Sequence, residues 1–405
     1  MTMGPAGELE RGTVVINDGK ILAVGPDGSV AIPEGAQVRE LDGKVLLPGF
    51  VDTHSHVGGG SGADGSDPIQ PGVRVLDSIN PRSSGIQRAQ AGGVTTANVM
   101  PGSGHLCSGQ TLYLKYKDAG TIDALAIKDE KGAILGGLKM ANGTNPQRSK
   151  PPFPGTRGKS AALVRKAFID AQEYQRKLAK ASEDPDVDPP ARDLALEALV
   201  EVLEGKRIVH HHTHRHDDIL TVLRLKREFG FRVVLHHVSE GWKVADQIKA
   251  AGVACSVIVV DSPGGKLEAK DLRFETGAIL EAAGVPVSFH TDDWITDSRH
   301  FLRSAALAVR AGMSRTKALE ALTIEAARQL DLDGRVGSIE GGKDADLVVI
   351  DGDPLSIYSM IQETWIEGVR VFDRTRPQDR LWALGGYGAG HDTNPGCCSR
   401  KDWWQ

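Results

Sequence analysis

The stretch Phe50-Val51-Asp52-Thr53-His54-Ser55-His56 sets an apolar run directly against two histidines. Alternate residues of a strand face the same way, so His54 and His56 project together from its carboxyl end, spaced to chelate one ion. Neutral imidazole suits zinc, iron and similar ions. Three later runs have the same form. Ile208-Val209-His210-His211-His212-Thr213-His214-Arg215-His216 drives five histidines in seven positions toward a strand end. Val233-Val234-Leu235-His236-His237 ends in an adjacent pair, of which strand alternation lets only one face inward without saying which. Val285-Pro286-Val287-Ser288-Phe289-His290-Thr291-Asp292-Asp293 ends in carboxylates. One of these can ligate an ion and take a proton from water, while Asp293 is equally suited to cap a following helix.

Outward from these runs, the region 50–330 alternates apolar strands with longer helical patterns. Strands are expected at 50–53, 95–99, 133–139, 207–212, 232–237, 254–260 and 285–290, with an eighth at 122–127. Helices are expected at 160–180, 191–204, 216–229, 241–250, 271–283, 298–311 and 314–329. Strand, helix, strand at this rhythm implies parallel strands with crossover helices. The fold class is therefore α/β, a (β/α)8 TIM-like barrel, whose carboxyl-end loops bring distant strand ends together. Short strands separated by turns precede it at 13–16, 20–24, 37–41 and 44–47 and follow it at 335–339, 346–350, 364–366 and 369–372. They are expected to pair across the chain ends as a small β-sandwich. The expected division is 1–48 with 331–379 for the sandwich, 49–330 for the catalytic barrel, and 380–405 as a tail.

The chain has 405 residues, 40% of them hydrophobic, enough for one barrel and a smaller domain. With 48 Lys and Arg against 53 Asp and Glu, the formal charge of -5 suggests no nucleic-acid surface. No apolar run is long enough to span a membrane, and no basic-then-apolar start marks a secretory signal, so no membrane association and a cytoplasmic location are expected. Cys107, Cys255, Cys397 and Cys398 show no paired ligand spacing, and no dependence on disulfides is expected. Seven of the 13 histidines fall between His210 and His237, which makes chemical sense only if something binds there.

These motifs, with Asp18-Gly19-Lys20-Ile21 before them and Gly337-Ser338-Ile339-Glu340-Gly341-Gly342-Lys343-Asp344-Ala345-Asp346 after, resemble the amidohydrolase superfamily, in its imidazolonepropionase-related branch. The resemblance covers nearly the whole chain. It implies that His54, His56, His212, His237 and Asp292 are metal ligands, with Asp292 also the proton shuttle and His237 either a ligand or a group that orients substrate or water. Two-metal members bridge their ions with a modified lysine, and Lys139 lies near that place, as a carboxylated bridge or as an ordinary structural lysine. The resemblance also draws attention to Arg157, whose planar fork suits a substrate carboxylate or a loop brace. His105, His214 and Glu240 are further pocket candidates. Gly58-Gly59-Gly60 stands where substrate-holding aromatics and an arginine are expected for imidazolonepropionase itself.

The expected cofactor is zinc, one ion or two, with iron, manganese, nickel or cobalt as alternatives. The expected reaction is attack of a metal-activated water on a carbon–nitrogen bond other than a standard peptide bond, in a cyclic amide or an N-acyl compound of small size. Metallo-dipeptidase activity is the runner-up. Lactonase or phosphotriesterase chemistry is accessible to the same water, and a deaminase fits less well. A non-catalytic metal-binding barrel is the alternative from another class. Related hydrolases make a homo-oligomer an expectation.

Overall fold

The computed structural model describes residues 1–59, 64–259, 266–293 and 295–385. Gly60, Val260, Cys397, Cys398 and the tail beyond 385 lie outside the described residues.

The architecture is a distorted (β/α)8 barrel with a β-sandwich built from both chain ends. In chain order the barrel strands are Phe50–Ser55, Val94–Val99, a bent antiparallel third strand, Leu138–Ala141, Val209–Thr213, Val233–His237, Ala254–Ile258 and Val287–His290. The fourth to eighth strands pair in parallel, and the first pairs in parallel with the second. The third strand has two halves: Leu112–Lys115 pairs antiparallel with the second strand, and Cys107–Gln110 pairs antiparallel with the fourth.

That bent segment replaces the strand expected at 122–127, where the chain instead makes the short helix Ile122–Leu125. Gly109 interrupts the register of the third strand, which masks its alternation in the sequence. The strand expected at 133–139 begins its ladder only at Leu138, and that expected at 254–260 ends at Ile258. The helix at 216–229 matches its expected bounds. It stops at Gly230, whose φ of +80° supplies the left-handed cap that a glycine adopts without strain. The single helix expected at 314–329 is broken into Arg315–Glu320 and Ile324–Arg328. The cause is competition for carbonyls: Phe289 N donates to Ala321 O at 3.0 Å and Val51 N donates to Leu322 O at 2.8 Å, so the barrel takes these acceptors from the helix.

The sandwich sheet pairs Val45–Pro48 with Leu347–Ile350, and continues through Ile361–Ile366 to Val369–Asp373, all antiparallel. The hairpin Gly12–Asn17 and Lys20–Pro26 packs against it through Ile21, Ile339, Ala345 and Leu347. The segments expected as strands at 37–41 and 335–339 join no ladder. Val38 is 61% exposed, with no apolar face to bury, and the second segment is a turn whose Ile339 N donates to Thr2 O. The helix Pro377–Leu384 reaches into the expected tail.

Barrel and sandwich are joined by a buried cation. Lys115 Nζ, at the end of the third strand, lies 2.6 Å from Asp344 Oδ2, 3.1 Å from Asp346 Oδ2 and 3.3 Å from Glu367 Oε1. Burial works against the Lys115 charge, but Asp346, Asp344 and Glu367 outweigh it and hold the ammonium above its ordinary pKa. Removing one partner of such a set leaves uncompensated charge in a low-dielectric place. Lys115→Met is expected to lower unfolding stability by about 3–5 kcal/mol, read from urea denaturation. An unchanged midpoint would show that the seam does not depend on this ion network.

Candidate metal centre

Each element of the centre is a strand end. The first strand delivers His54 and His56 to one side, with ring centroids 5.1 Å apart. Met100 O, after the second strand, lies 2.8 Å from His56 Nδ1, which leaves Nε2 free to face inward. The eighth strand delivers Asp292, whose Oδ1 lies 3.0 Å from His56 Nε2 and 3.5 Å from His54 Nε2. Asp292 has φ of +46°, and its N–H donates to His54 O at 2.9 Å, so the backbone itself locks the acid beside the imidazoles.

The sixth strand corrects one expectation. Both His236 and His237 face the interior, with ring centroids 5.1 and 4.9 Å from that of His54. Strand alternation fails because His237 has φ of +72° and Val238 has φ of +42°, which rotates the last residue of the strand onto its neighbour's face. His237 Nδ1 lies 3.0 Å from His290 Nε2 and 3.9 Å from Asp292 Oδ2. Ser256 Oγ holds His290 Nδ1 at 2.7 Å. His212 lies beside His237 at 4.4 Å between ring centroids. Lys139 Nζ, on the fourth strand, is 3.1 Å from His54 Nε2 and 3.0 Å from Met100 Sδ.

Two overlapping sets have chelating atoms within 4.8 Å of one another: His54 with His237 and Asp292, and His54 with His236 and His290. Burial, reinforced by neighbouring imidazoles and, for His54, His236 and His290, by Lys139, holds His54, His236 and His237 well below the ordinary histidine range, and His290 at about 3. The rings are therefore neutral lone-pair donors at physiological pH. Burial alone would raise Asp292. The hydrogen bond and charge of His56, with His290 and Lys139, reverse this and hold its carboxyl well below the usual range. His54 Nδ1 and His237 Nε2 are enclosed without a hydrogen-bond partner. Neutral imidazoles, an ionised acid and orphaned buried nitrogens together fit a divalent cation.

Residues 45–371 match the Amidohydrolase family. The chain belongs to this family. It is similar to the crystal structure of an amidohydrolase from Thermotoga maritima, with a TM-score of 0.82 and 35% identity over 89% of this chain and 95% of that one. It is 28% identical to the amidohydrolase tasK of Hapsidospora irregularis over 90% of its own length, but spans only 39% of that protein. It is 24% identical to an imidazolonepropionase of Erwinia tasmaniensis, over 86% of this chain and 88% of the other. The barrel of this family member holds buried ligand sets that fit a divalent metal ion.

Of the other residues singled out from sequence, His214 touches the centre, while Arg157, Glu240 and His105 engage other groups. Arg157 opens the helix Arg157–Glu183 and directs Nε at both Asp218 oxygens, at 3.0 and 2.9 Å. Glu240 receives His216 Nδ1 at 2.6 Å and Lys243 Nζ at 2.8 Å, and this pairing overcomes burial to hold its pKa at about 2. His105 packs on Phe153 at 5.2 Å between ring centroids. His214 stacks on His237 at 5.0 Å. His290 and His236 escaped assignment from sequence. Period two from Asp292 would have found His290, whereas the twist that turns His236 inward leaves no mark in the residue pattern. With His54 shared by both sets, His54→Ala is expected to weaken metal binding by more than the about 10–100-fold that loss of an outer-shell partner produces. Metal analysis after dialysis against a weak chelator reads this, and full retention would place the ion elsewhere.

Proposed function

We propose that this protein is a metal-dependent amidohydrolase that cleaves a carbon–nitrogen bond of a small cyclic amide or N-acyl compound. The observation that carries this is an ionised acid, Asp292, fixed 3.0 Å from His56 Nε2 at the carboxyl end of a barrel where the buried His54, His236, His237 and His290 are neutral. His54, His56, His212, His237 and Asp292 are the proposed ligands, with zinc the ion best suited to imidazole and carboxylate together. Lys139, 3.1 Å from His54 Nε2, is the proposed bridge if carboxylated and if two ions are held. The family membership and the imidazolonepropionase relatives support the choice of bond.

When bound, a divalent ion lowers the pKa of a coordinated water to about 7 and polarises the substrate carbonyl. The residues do the rest. Asp292 accepts the proton of the attacking water at Oδ1 as the new carbon–oxygen bond forms. It delivers that proton to the leaving nitrogen as the carbon–nitrogen bond breaks. His237, pinned by His290, orients the reacting groups. Burial of the surrounding histidines excludes bulk water, so the acid works in a low-dielectric enclosure where its charge counts for more. The sandwich, at 1–48 with 331–379, supports the barrel at 49–330 and carries no part of this chemistry. Among the described residues no helix is long and apolar enough to cross a membrane. We propose a cytoplasmic enzyme that works as a homo-oligomer.

Asp292→Asn is expected to reduce kcat by on the order of 10²–10⁴-fold, the usual worth of a placed general base, while His54, His56 and His237 keep the ion bound. The assay is turnover of lactams, hydantoins and N-acyl amino acids by zinc-loaded protein, with metal content measured on the same samples. No turnover across amide, ester and phosphoester panels by the metal-loaded wild type would favour a non-catalytic metal-binding barrel instead.

A further inference from the structure

Among the described residues a third chelating group shares only His212 with the proposed ligand set. It combines His212 and His214, from the end of the fifth strand, with Glu268, in the short turn Leu267–Ala269 after the seventh. We propose that His212, His214 and Glu268 form an outer divalent-cation site at the barrel mouth, with the two imidazoles and one carboxylate that a borderline ion such as zinc prefers. Nothing in the reaction above uses His214 or Glu268, and loss of either leaves the inner set His54, His237 and Asp292 intact, so His212 is the one residue the two readings share.

The three chelating atoms lie within 4.8 Å of one another, a spread that small side-chain rotations close to the roughly 2.0–2.2 Å bonds of zinc. All three side chains are buried. Both ring nitrogens of His212, Nε2 of His214 and Oε1 of Glu268 are enclosed without hydrogen-bond partners. Four orphaned polar atoms in one place are unfavourable unless something satisfies them, and one cation can do so for all three residues.

The supports around the group are those a metal site uses. Ser239 Oγ lies 2.8 Å from His214 Nδ1, the outer-shell contact that leaves Nε2 to a metal. Glu268 is held from behind, with Thr144 N donating to Oε2 at 2.8 Å and Arg157 Nη2 at 3.7 Å from the same oxygen. That leaves Oε1 for a ligand. The loop after the fourth strand makes room for this carboxylate at Gly143, where φ is +76° and a Cβ would lie 2.6 Å from Glu268 Oε2. Arg157 is neutralised by Asp218, 2.9 Å away. Lys266 is the larger of two opposing charges, Lys139 being the other. Lys266 Nζ donates to Asn145 Oδ1 at 3.0 Å and bears on both His212 and His214. The outer site therefore fills after the inner one, at higher zinc.

Calorimetric titration of the metal-depleted full chain with zinc, together with diffraction from zinc-soaked wild-type crystals at the zinc absorption edge, tests this. The wild type is expected to take up one more zinc per chain than Glu268→Gln or His214→Gln, with the inner ion retained in both. Lys266→Met is expected to tighten the weaker site several-fold, a gain that a purely structural role for Lys266 does not produce. An anomalous peak among His212, His214 and Glu268 supports the site even if a variant fails to fold. A map at saturating zinc without that peak, or with a second peak only beside Lys139, overturns it. Equal zinc in the wild type and both folded variants does the same.

Discussion

The barrel closes where strand pairing stops, and the metal centre depends on that closure. The first and eighth strands belong to different sheets and share no ladder. What joins them, besides Thr53 Oγ1 donating to Phe289 O at 3.3 Å, is Asp52, a buried carboxylate that accepts from Thr291 N at 3.1 Å, from Thr291 Oγ1 at 2.5 Å and from His54 N at 3.2 Å. The bond from Asp292 N to His54 O completes the seam. A side chain therefore substitutes for a missing row of backbone pairing. It does so two residues before His54 and, through Thr291, one residue before Asp292, which fixes the separation of the two residues that any ion there must share. Burial pushes Asp52 up to about 7 against the pull of the Thr291 hydrogen bonds, a sign of how thoroughly this seam is withdrawn from water.

The same withdrawal sets the chemistry. An exposed histidine titrates near neutrality; in this interior desolvation drives His210 and His290 to about 3. Crowding His54, His210, His236 and His290 near Lys139 works only because burial keeps these imidazoles neutral. Below the centre the crowding continues as a hydrogen-bonded chain, with Tyr113 OH 3.0 Å from His210 Nε2 and His210 Nδ1 3.0 Å from His236 Nε2. These contacts give partners to both nitrogens of His210 and to one of His236, whereas nitrogens of His54, His212, His214 and His237 stay unpartnered for an ion to engage.

Much of this was legible in the residues, and the limits of legibility have physical causes. Apolar runs located the parallel strands, four of them ending in histidine or aspartate, because burial on both faces leaves a continuous hydrophobic stretch. The two chain ends were legible as one sandwich because neither set of short strands could bury a face alone, and the observed pairing of Val348 with Leu47 satisfies both. The third strand was lost because a bulge at Gly109 breaks its period. The helix break at Leu322 was invisible because its cause lies in carbonyls recruited by strands far away in sequence. Glu268 was missed for a related reason: it sits in a short turn, its carboxylate is held by a loop from another part of the barrel, and nothing local distinguishes it from a surface acid.

The positions where sequence rules failed most sharply are also those under strain. His237, Val238 and Asp292 all adopt positive φ, a region that costs a non-glycine residue about 1–3 kcal/mol. Val238 is β-branched, for which that region is least comfortable. A barrel needing only stability would relax all three into regular strand ends. Their retention has a geometric consequence: without the turn at His237 its imidazole would leave the interior, and without the turn at Asp292 its carboxylate would point along the strand rather than across to His56. The surrounding structure imposes the turns through Val238 N, which donates to Thr213 O at 3.0 Å, and through the Asp292 to His54 bond. Strain and closure are thus two aspects of one arrangement, in which the packed barrel holds a few backbone residues off their preferred angles so that side chains from opposite strands converge on a single point.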